Sequence, residues 1–288
     1  MNSHYFAQYL LNEGVLSGEE ERSVLRQAVA VNPGLPVLAM CKGLVKAKQL
    51  ADVADDENAA EKMLEKGLLT DSQVSNLKQS VVSESMRFAQ ALLNAGMMNY
   101  ESLEENLKKY SMSLEHPLET AVKKIAGERL EEELAYYEEY ATVFMHSLVR
   151  FMDTPAVINT EVQATNFAEE KLTYAVSQRL SGDVSLAICV VAAEEVFLKM
   201  AKRYSHEDFV EVDDLVLDSV TEFLNVLNGL YIIDLAKKEL DVDLEIPKIF
   251  KNIQPSSNNQ LILPVETCFG SLYVVLATDE FFNGEIIL

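Results

Sequence analysis

Apolar residues recur at helical spacing through the first third of the chain. Beyond residue 157 they shift to alternating and continuous runs, so an all-helical region is predicted to precede a mixed one. The helical region is repetitive. Phe6-Ala7-Gln8-Tyr9-Leu10-Leu11-Asn12-Glu13-Gly14 returns as Phe88-Ala89-Gln90-Ala91-Leu92-Leu93-Asn94-Ala95-Gly96, with seven of nine positions identical. Weaker copies run from Ala39 to Val45 and from Met63 to Leu69. Each copy reads as a short amphipathic helix ended by a Gly able to take positive φ, then two apolar residues. A capping residue (Ser17, Thr70 or Asn99) then opens a second helix. Gln49, Val53, Val74 and Leu77 are expected to face inward from these second helices, and Pro33, Gly34 and Pro36 to mark a loop. Four helical hairpins would make an all-α domain over 1–114.

Glu115-His116-Pro117 interrupts the pattern. One long helix is predicted from there to about Met152, charged over Glu128–Glu133 and apolar at Tyr140, Phe144, Leu148 and Phe151. Asp153-Thr154-Pro155 ends it. Strands begin near Val157. Leu172, Tyr174 and Val176 alternate with Thr173, Ala175 and Ser177, then Ser181-Gly182-Asp183 turns the chain into the apolar run Val184–Val191. Ala192–Tyr204 reads as a helix, and Val212–Leu240 as one or two more. Val242–Ile246, Leu261–Thr267 and Ser271–Thr278 read as strands, with Ser256-Ser257-Asn258-Asn259 as a connector. A helix followed by strands occurs twice. The expected fold class is therefore α+β: the helical-hairpin domain, then an α/β domain over 115–288 with pseudo-symmetric halves.

One helix stands apart. Val216, Val220, Phe223, Leu224 and Leu227 fall on one face at 100° per residue. Asp218, Glu222 and Asn225, spaced four and three apart, form a polar stripe on the other. Asn is a poor helix former, so its place on this stripe asks for a reason. Spacing alone is equally satisfied by a solvated helix face, and Glu-x-x-Asn recurs at Glu280-Phe281-Phe282-Asn283.

Charge narrows the partner classes. The chain has 288 residues and a formal net charge of −22. Phosphate backbones and anionic lipid repel it, so neither nucleic acid nor a membrane surface is an expected partner. Cys41, Cys189 and Cys268 are scattered and odd in number, which fits a reducing compartment and three small buried hydrophobes. His4, His116, His146 and His206 have no paired spacing. No metal site is expected. No basic segment followed by an apolar core opens the sequence, and Val184–Ala193 is too short to span a bilayer, so a cytoplasmic location is expected.

The run Asp218-x3-Glu222-x2-Asn225, with Gly229 four residues on and Pro247 beyond, resembles the signature of the CheC/CheX/FliY chemotaxis phosphatases, CheX most of all. The resemblance spans roughly residues 134–278. It takes in the Gly182-Asp183-Val184 turn, Glu194-Glu195, Leu263-Pro264-Val265-Glu266-Thr267 and Gly270-Ser271-Leu272-Tyr273-Val274-Val275. Two departures are visible: the proline comes about one residue early, and Leu230 stands where Asn is common. The resemblance implies a mainly antiparallel sheet and hydrolysis of the aspartyl phosphate on a CheY-type response regulator. Asn225 would orient the attacking water and Glu222 would pair with the regulator's lysine. Asp218 and Gly229 would aid docking. The chain would need no cofactor of its own, since the divalent metal (Mg) belongs to the regulator. One active site per chain is implied, because Glu138 and Glu139 of the preceding long helix have no Asn three residues later. A homodimer is implied as well.

The helical repeat resembles the N-terminal domain of secretion and pilus ATPases, some of which bind a cyclic dinucleotide through an Arg-Leu-Gly triplet. Here those positions read Tyr5-Phe6-Ala7 and Arg87-Phe88-Ala89. Two alternatives to a phosphatase stay open at this point. One is a non-enzymatic adaptor for a phosphorylated regulator, and the other is cyclic-dinucleotide sensing through the repeats.

Overall fold

The computed structural model describes residues 5–53, 58–127, 133–162, 174–255, 260–278 and 282–286. The chain divides into two compact units, Met1–Pro117 and Leu118–Leu288.

The first unit is built of helical hairpins: α1 (Phe6–Asn12) with α2 (Gly18–Ala28), α3 (Leu35–Cys41) with α4 (Ala47–Leu50), α5 (Ala59–Glu65) with α6 (Asp71–Gln79), and α7 (Glu84–Asn94) with α8 (Tyr100–Met112). The first helix of each pair ends on a glycine, Gly14, Gly43, Gly67 or Gly96, at φ of 66, 71, 63 and 67°. The next residue's N–H then reaches back five residues: Val15 to Leu10 O at 2.9 Å, Leu44 to Ala39 O at 2.9 Å, Leu68 to Met63 O at 2.8 Å, Met97 to Leu92 O at 3.1 Å. Only a left-handed residue permits that closure, which is why a glycine recurs at this point of every copy.

The second helices open on reciprocal caps. Ser17 Oγ accepts from Glu20 N while Ser17 N donates to Glu20 Oε2 at 2.9 Å, and Thr70 with Gln73 and Asn99 with Ser102 repeat the exchange. In the remaining copy Lys46 N donates to Gln49 Oε1 at 2.8 Å. Gln49 is therefore exposed at a cap and does not face inward as expected, whereas Val53, Val74 and Leu77 are buried. Pro36 also departs from expectation: it lies in the first turn of α3, where its missing N–H costs nothing. The amides kept by the repeat have a structural use. Gln8 Nε2 donates to Asn12 Oδ1 at 3.1 Å and Gln90 Nε2 to Asn94 Oδ1 at 2.9 Å. Asn12 Nδ2 then donates to Pro117 O, and Gln90 Oε1 accepts from Gly34 N.

The expected single helix to Met152 is two: α9 (Pro117–Ala126) and α10 (Leu134–Met152). Gly127 at φ 59° stops α9. Most of the charged stretch assigned to that helix, residues 128–132, lies outside the described residues.

Sheet strands follow: β1 (Ala156–Ile158), β2 (Tyr174–Gly182), β3 (Leu186–Ala192), then α11 (Glu194–Ser205) and α12 (Asp214–Ala236). After them come β4 (Val242–Leu244), β5 (Lys248–Pro255), β6 (Gln260–Thr267), β7 (Gly270–Ala277) and β8 (Phe282–Ile286). Strand order is β1-β6-β7-β3-β2-β5-β8, with β4 also on β2, and every pairing is antiparallel. The helix-then-strands order does occur twice. β5 and β8 are not among the predicted strands; among the β5 side chains that the structure describes, the buried apolar signal is the adjacent pair Ile249-Phe250 rather than an alternation. Leu172, Thr173, residues 256–259, Glu280 and Phe281 lie outside the described residues.

The β2–β3 hairpin carries a close backbone approach. A Cβ on Gly182, at φ 125°, would sit 2.3 Å from Asp241 O, so only glycine fits where β4 joins β2. Helices α10, α11 and α12 pack on one another through Phe144–Phe223, Tyr204–Phe223 and Tyr140–Tyr231 ring contacts at 6.3, 5.6 and 5.2 Å. Tyr174, Val176, Gln178 and Leu180 of β2 share one face of the sheet. Ala175, Ala187, Cys189, Val191, Tyr273 and Val275 form a buried cluster on the other. Cys189 is fully buried and its thiol is raised by that burial, but Cys41 and Cys268 are only half-buried, which corrects the expectation for two of the three cysteines. By length and composition α12 is apolar enough to cross a bilayer. Val216, Val220, Phe223, Leu224, Leu227, Tyr231 and Leu235 of this helix are instead buried in the core of this unit.

Candidate functional site

Helix α12 starts where Asp213 Oδ1 accepts from Val216 N at 3.0 Å. Its buried face carries Val216, Val220, Phe223, Leu224, Leu227, Tyr231 and Leu235. With that face fixed, the 3.6-residue period leaves Asp218, Glu222 and Asn225 exposed in one row and Gly229 half-exposed beyond them. The structure therefore brings all four sequence-predicted residues onto one accessible surface of one helix.

Their surroundings differ. Among the described residues, no cation pairs with Asp218 or Glu222. These two carboxylates thus stand without an internal counter-charge among the described residues. Burial raises the Tyr204 phenol, and the nearby Glu222 charge adds to the rise. The corresponding Glu138 and Glu139 of α10 are engaged instead: Glu138 with Lys123 at 3.3 Å, and Glu139 with Lys238. Among the described residues, no three His, Cys, Asp or Glu side chains gather as a metal cluster would require.

Asn225 is not merely solvated. Its Oδ1 accepts from Gln178 Nε2 at 2.9 Å. Gln178 Nε2 also donates to Glu245 O at 2.9 Å, and Gln178 Oε1 accepts from Asn228 Nδ2 at 2.9 Å. Asn228 Oδ1 in turn accepts from Tyr140 OH at 2.8 Å. Gln178, Asn228 and Tyr140 are 2%, 0% and 0% exposed. Sequence reasoning missed this chain of amides, although two signals were present. Gln178 occupies the inward phase of a strand otherwise read as apolar, and Asn228 falls one turn after Leu224 on the buried face of α12.

Gly229 has nothing within 4 Å of where a Cβ would stand. Gly229→Ala is therefore expected to stabilise α12 by about 0.5–1 kcal/mol through helix propensity. A thermal midpoint that rises by a few degrees checks it. A fall would mean that the site is more crowded than the structure shows.

Residues 174–265 match the family model described as chemotaxis phosphatase CheX. No curated protein matches the chain. Among solved structures, the chain is similar to a chemotaxis protein CheX from Desulfovibrio desulfuricans at 12% identity, over 50% of this chain and 98% of that one, with a TM-score of 0.40. It is also similar to CheX from Vibrio vulnificus, at 14% identity over 51% and 96% with a TM-score of 0.41. A third is the CheX-CheY-BeF3-Mg complex from Borrelia burgdorferi, at 18% identity over 49% and 96% with a TM-score of 0.38. The matched stretch runs from β2 into β6 and contains the whole of α12, so the C-terminal unit of this chain is CheX-like over residues 174–265.

Proposed function

We propose that the Glu222/Asn225 face of α12 accelerates hydrolysis of the aspartyl phosphate on a CheY-type response regulator. The observation that carries this reading is an exposed carboxamide held in one orientation beside an unpaired carboxylate, inside the stretch that matches the CheX family. In the reaction a water oxygen attacks phosphorus, the P–O bond to the regulator's aspartate breaks, and the aspartate leaves as a carboxylate. Inorganic phosphate takes up the proton. Such a transfer depends on in-line placement of the nucleophile and on neutralising phosphoryl charge. The regulator supplies the charge neutralisation through its lysine and its divalent metal, so the missing element is a placed water.

Asn225 supplies that element. Its amide donor and second Oδ1 lone pair can both engage a water, which converts a random encounter into a fixed approach. Glu222, which pairs with no cation among the described residues, is free to pair with the regulator's lysine and set the register between the two proteins. Asp218, one turn earlier, extends the acidic stripe along the contact.

The test is loss of labelled phosphate from a preloaded response regulator of the same cell. Wild-type protein should speed the decay. Glu222→Ala should raise KM by about tenfold, equivalent to ~1.4 kcal/mol of lost binding. Tight binding of the phosphorylated regulator with no faster decay would replace this reading with a non-enzymatic adaptor.

A further inference from the structure

The direction in which Asn225 presents its amide is set by a backbone carbonyl two elements away. Glu245 O can only accept a hydrogen bond. The Gln178 atom 2.9 Å from it must therefore be the Nε2 donor, and not Oε1. Nε2 carries two hydrogens, and the second goes to the side-chain atom of Asn225 at 2.9 Å, which must be an acceptor, hence Oδ1. Gln178 Oε1 is then the acceptor for Asn228 Nδ2, leaving Asn228 Oδ1 to accept from Tyr140 OH at 2.8 Å. Every amide in the series has one consistent orientation, and reversing any one of them sets two like groups against each other. The Tyr140 phenol, raised well above its ordinary value by burial, stays protonated and keeps its donor role. Glu245 N donates to Arg179 O at 2.9 Å, which helps keep the Glu245 carbonyl in place.

We infer that Gln178, backed by Asn228 and Tyr140, is a positioning residue that locks the Asn225 carboxamide with its Nδ2 outward toward the substrate water. This rests on the phosphatase reading above. Asn225 sits on an exposed helix face, where its χ angles would otherwise sample several rotamers and both amide faces. Among the described residues, Asn225 Nδ2 has no protein acceptor, so the donor is available to a partner. The relay thereby lowers the ordering that the transition state would otherwise require, without touching the regulator itself.

A positioning role acts on the chemical step rather than on docking. Gln178→Met keeps the volume and removes both donors. It is expected to lower kcat for dephosphorylation by roughly ten- to a hundredfold, with KM unchanged and undiminished binding to a regulator loaded with an acyl-phosphate mimic. In an Asn225→Ala background the same substitution should cost nothing further, because the group it positions is gone. A merely structural role for Gln178 would add to the loss. Tyr140→Phe, which deletes one hydroxyl and keeps the ring, should lower kcat by roughly three- to tenfold, the worth of one neutral hydrogen bond. It carries the test if Gln178→Met does not fold.

If Asn225→Ala is inactive while Gln178→Met and Tyr140→Phe retain full kcat, the relay proposal is wrong and the phosphatase reading survives. If the wild-type protein does not speed the decay, both fall together.

Discussion

Asn225→Ala should leave a folded protein that binds the phosphorylated regulator but has lost most of its catalysis, with kcat down by roughly a hundredfold or more. The folded state has little reason to suffer. The substitution removes one neutral hydrogen bond, worth about 1 kcal/mol. Alanine in place of asparagine on an exposed helix face returns about 0.5 kcal/mol of that through propensity. Gln178 Nε2 keeps its bond to Glu245 O, and water can reach the vacated position because the site is exposed. Catalysis has no such compensation, since no other carboxamide shares the surface row of Asp218, Glu222 and Asn225. Single-turnover decay at saturating protein separates the two effects. An unchanged limiting rate would remove Asn225 from the reaction, and a raised KM with an unchanged kcat would make it a docking residue instead.

How far the sequence reveals this molecule depends on whether the local signal and the tertiary signal agree. The hairpin repeat is legible because its punctuation is chemical: a glycine needed at positive φ and a capping side chain three residues before its target N–H. The exposed row on α12 is legible for a similar reason, because the apolar residues Val216, Val220, Phe223, Leu224 and Leu227 fix the buried face and leave the opposite side for Asp218, Glu222 and Asn225. Legibility stops where polar residues are recruited into apolar phases. Gln178 and Asn228 read as noise within a strand and a helix whose inward residues are mostly hydrophobic, yet each satisfies the other. A buried amide tolerates that position only with a partner, so two such residues in one domain are a signal to be read jointly. Gln49 fails in the opposite sense. It was assigned inward from spacing, but its side chain was already committed to a cap. The single helix predicted to about Met152 runs through Gly127, whose φ of 59° ends α9 instead.

The largest effect on stability is expected from Phe223→Ala. Phe223 is 0% exposed and lies where three helices meet, with its ring 6.3 Å from that of Phe144 on α10 and 5.6 Å from that of Tyr204 on α11. Removing the ring loses its transfer free energy and opens a void that helices anchored to the sheet can close only in part. The expected cost is about 3–5 kcal/mol. Against a typical domain stability of ~5–15 kcal/mol, that is enough to populate unfolded α12 measurably. Phe223 lies between Glu222 and Leu224, so the same loss frees the helix from the register that presents Glu222 and Asn225, and catalysis should fall with stability. Hydrogen exchange of the α12 amides under increasing urea reads the effect directly. Phe223→Leu, which keeps much of the volume, should lose markedly less. A Phe223→Ala penalty below about 1 kcal/mol, typical of surface rather than core positions, would mean that the apolar face of α12 is not the packed seam on which the site's geometry depends.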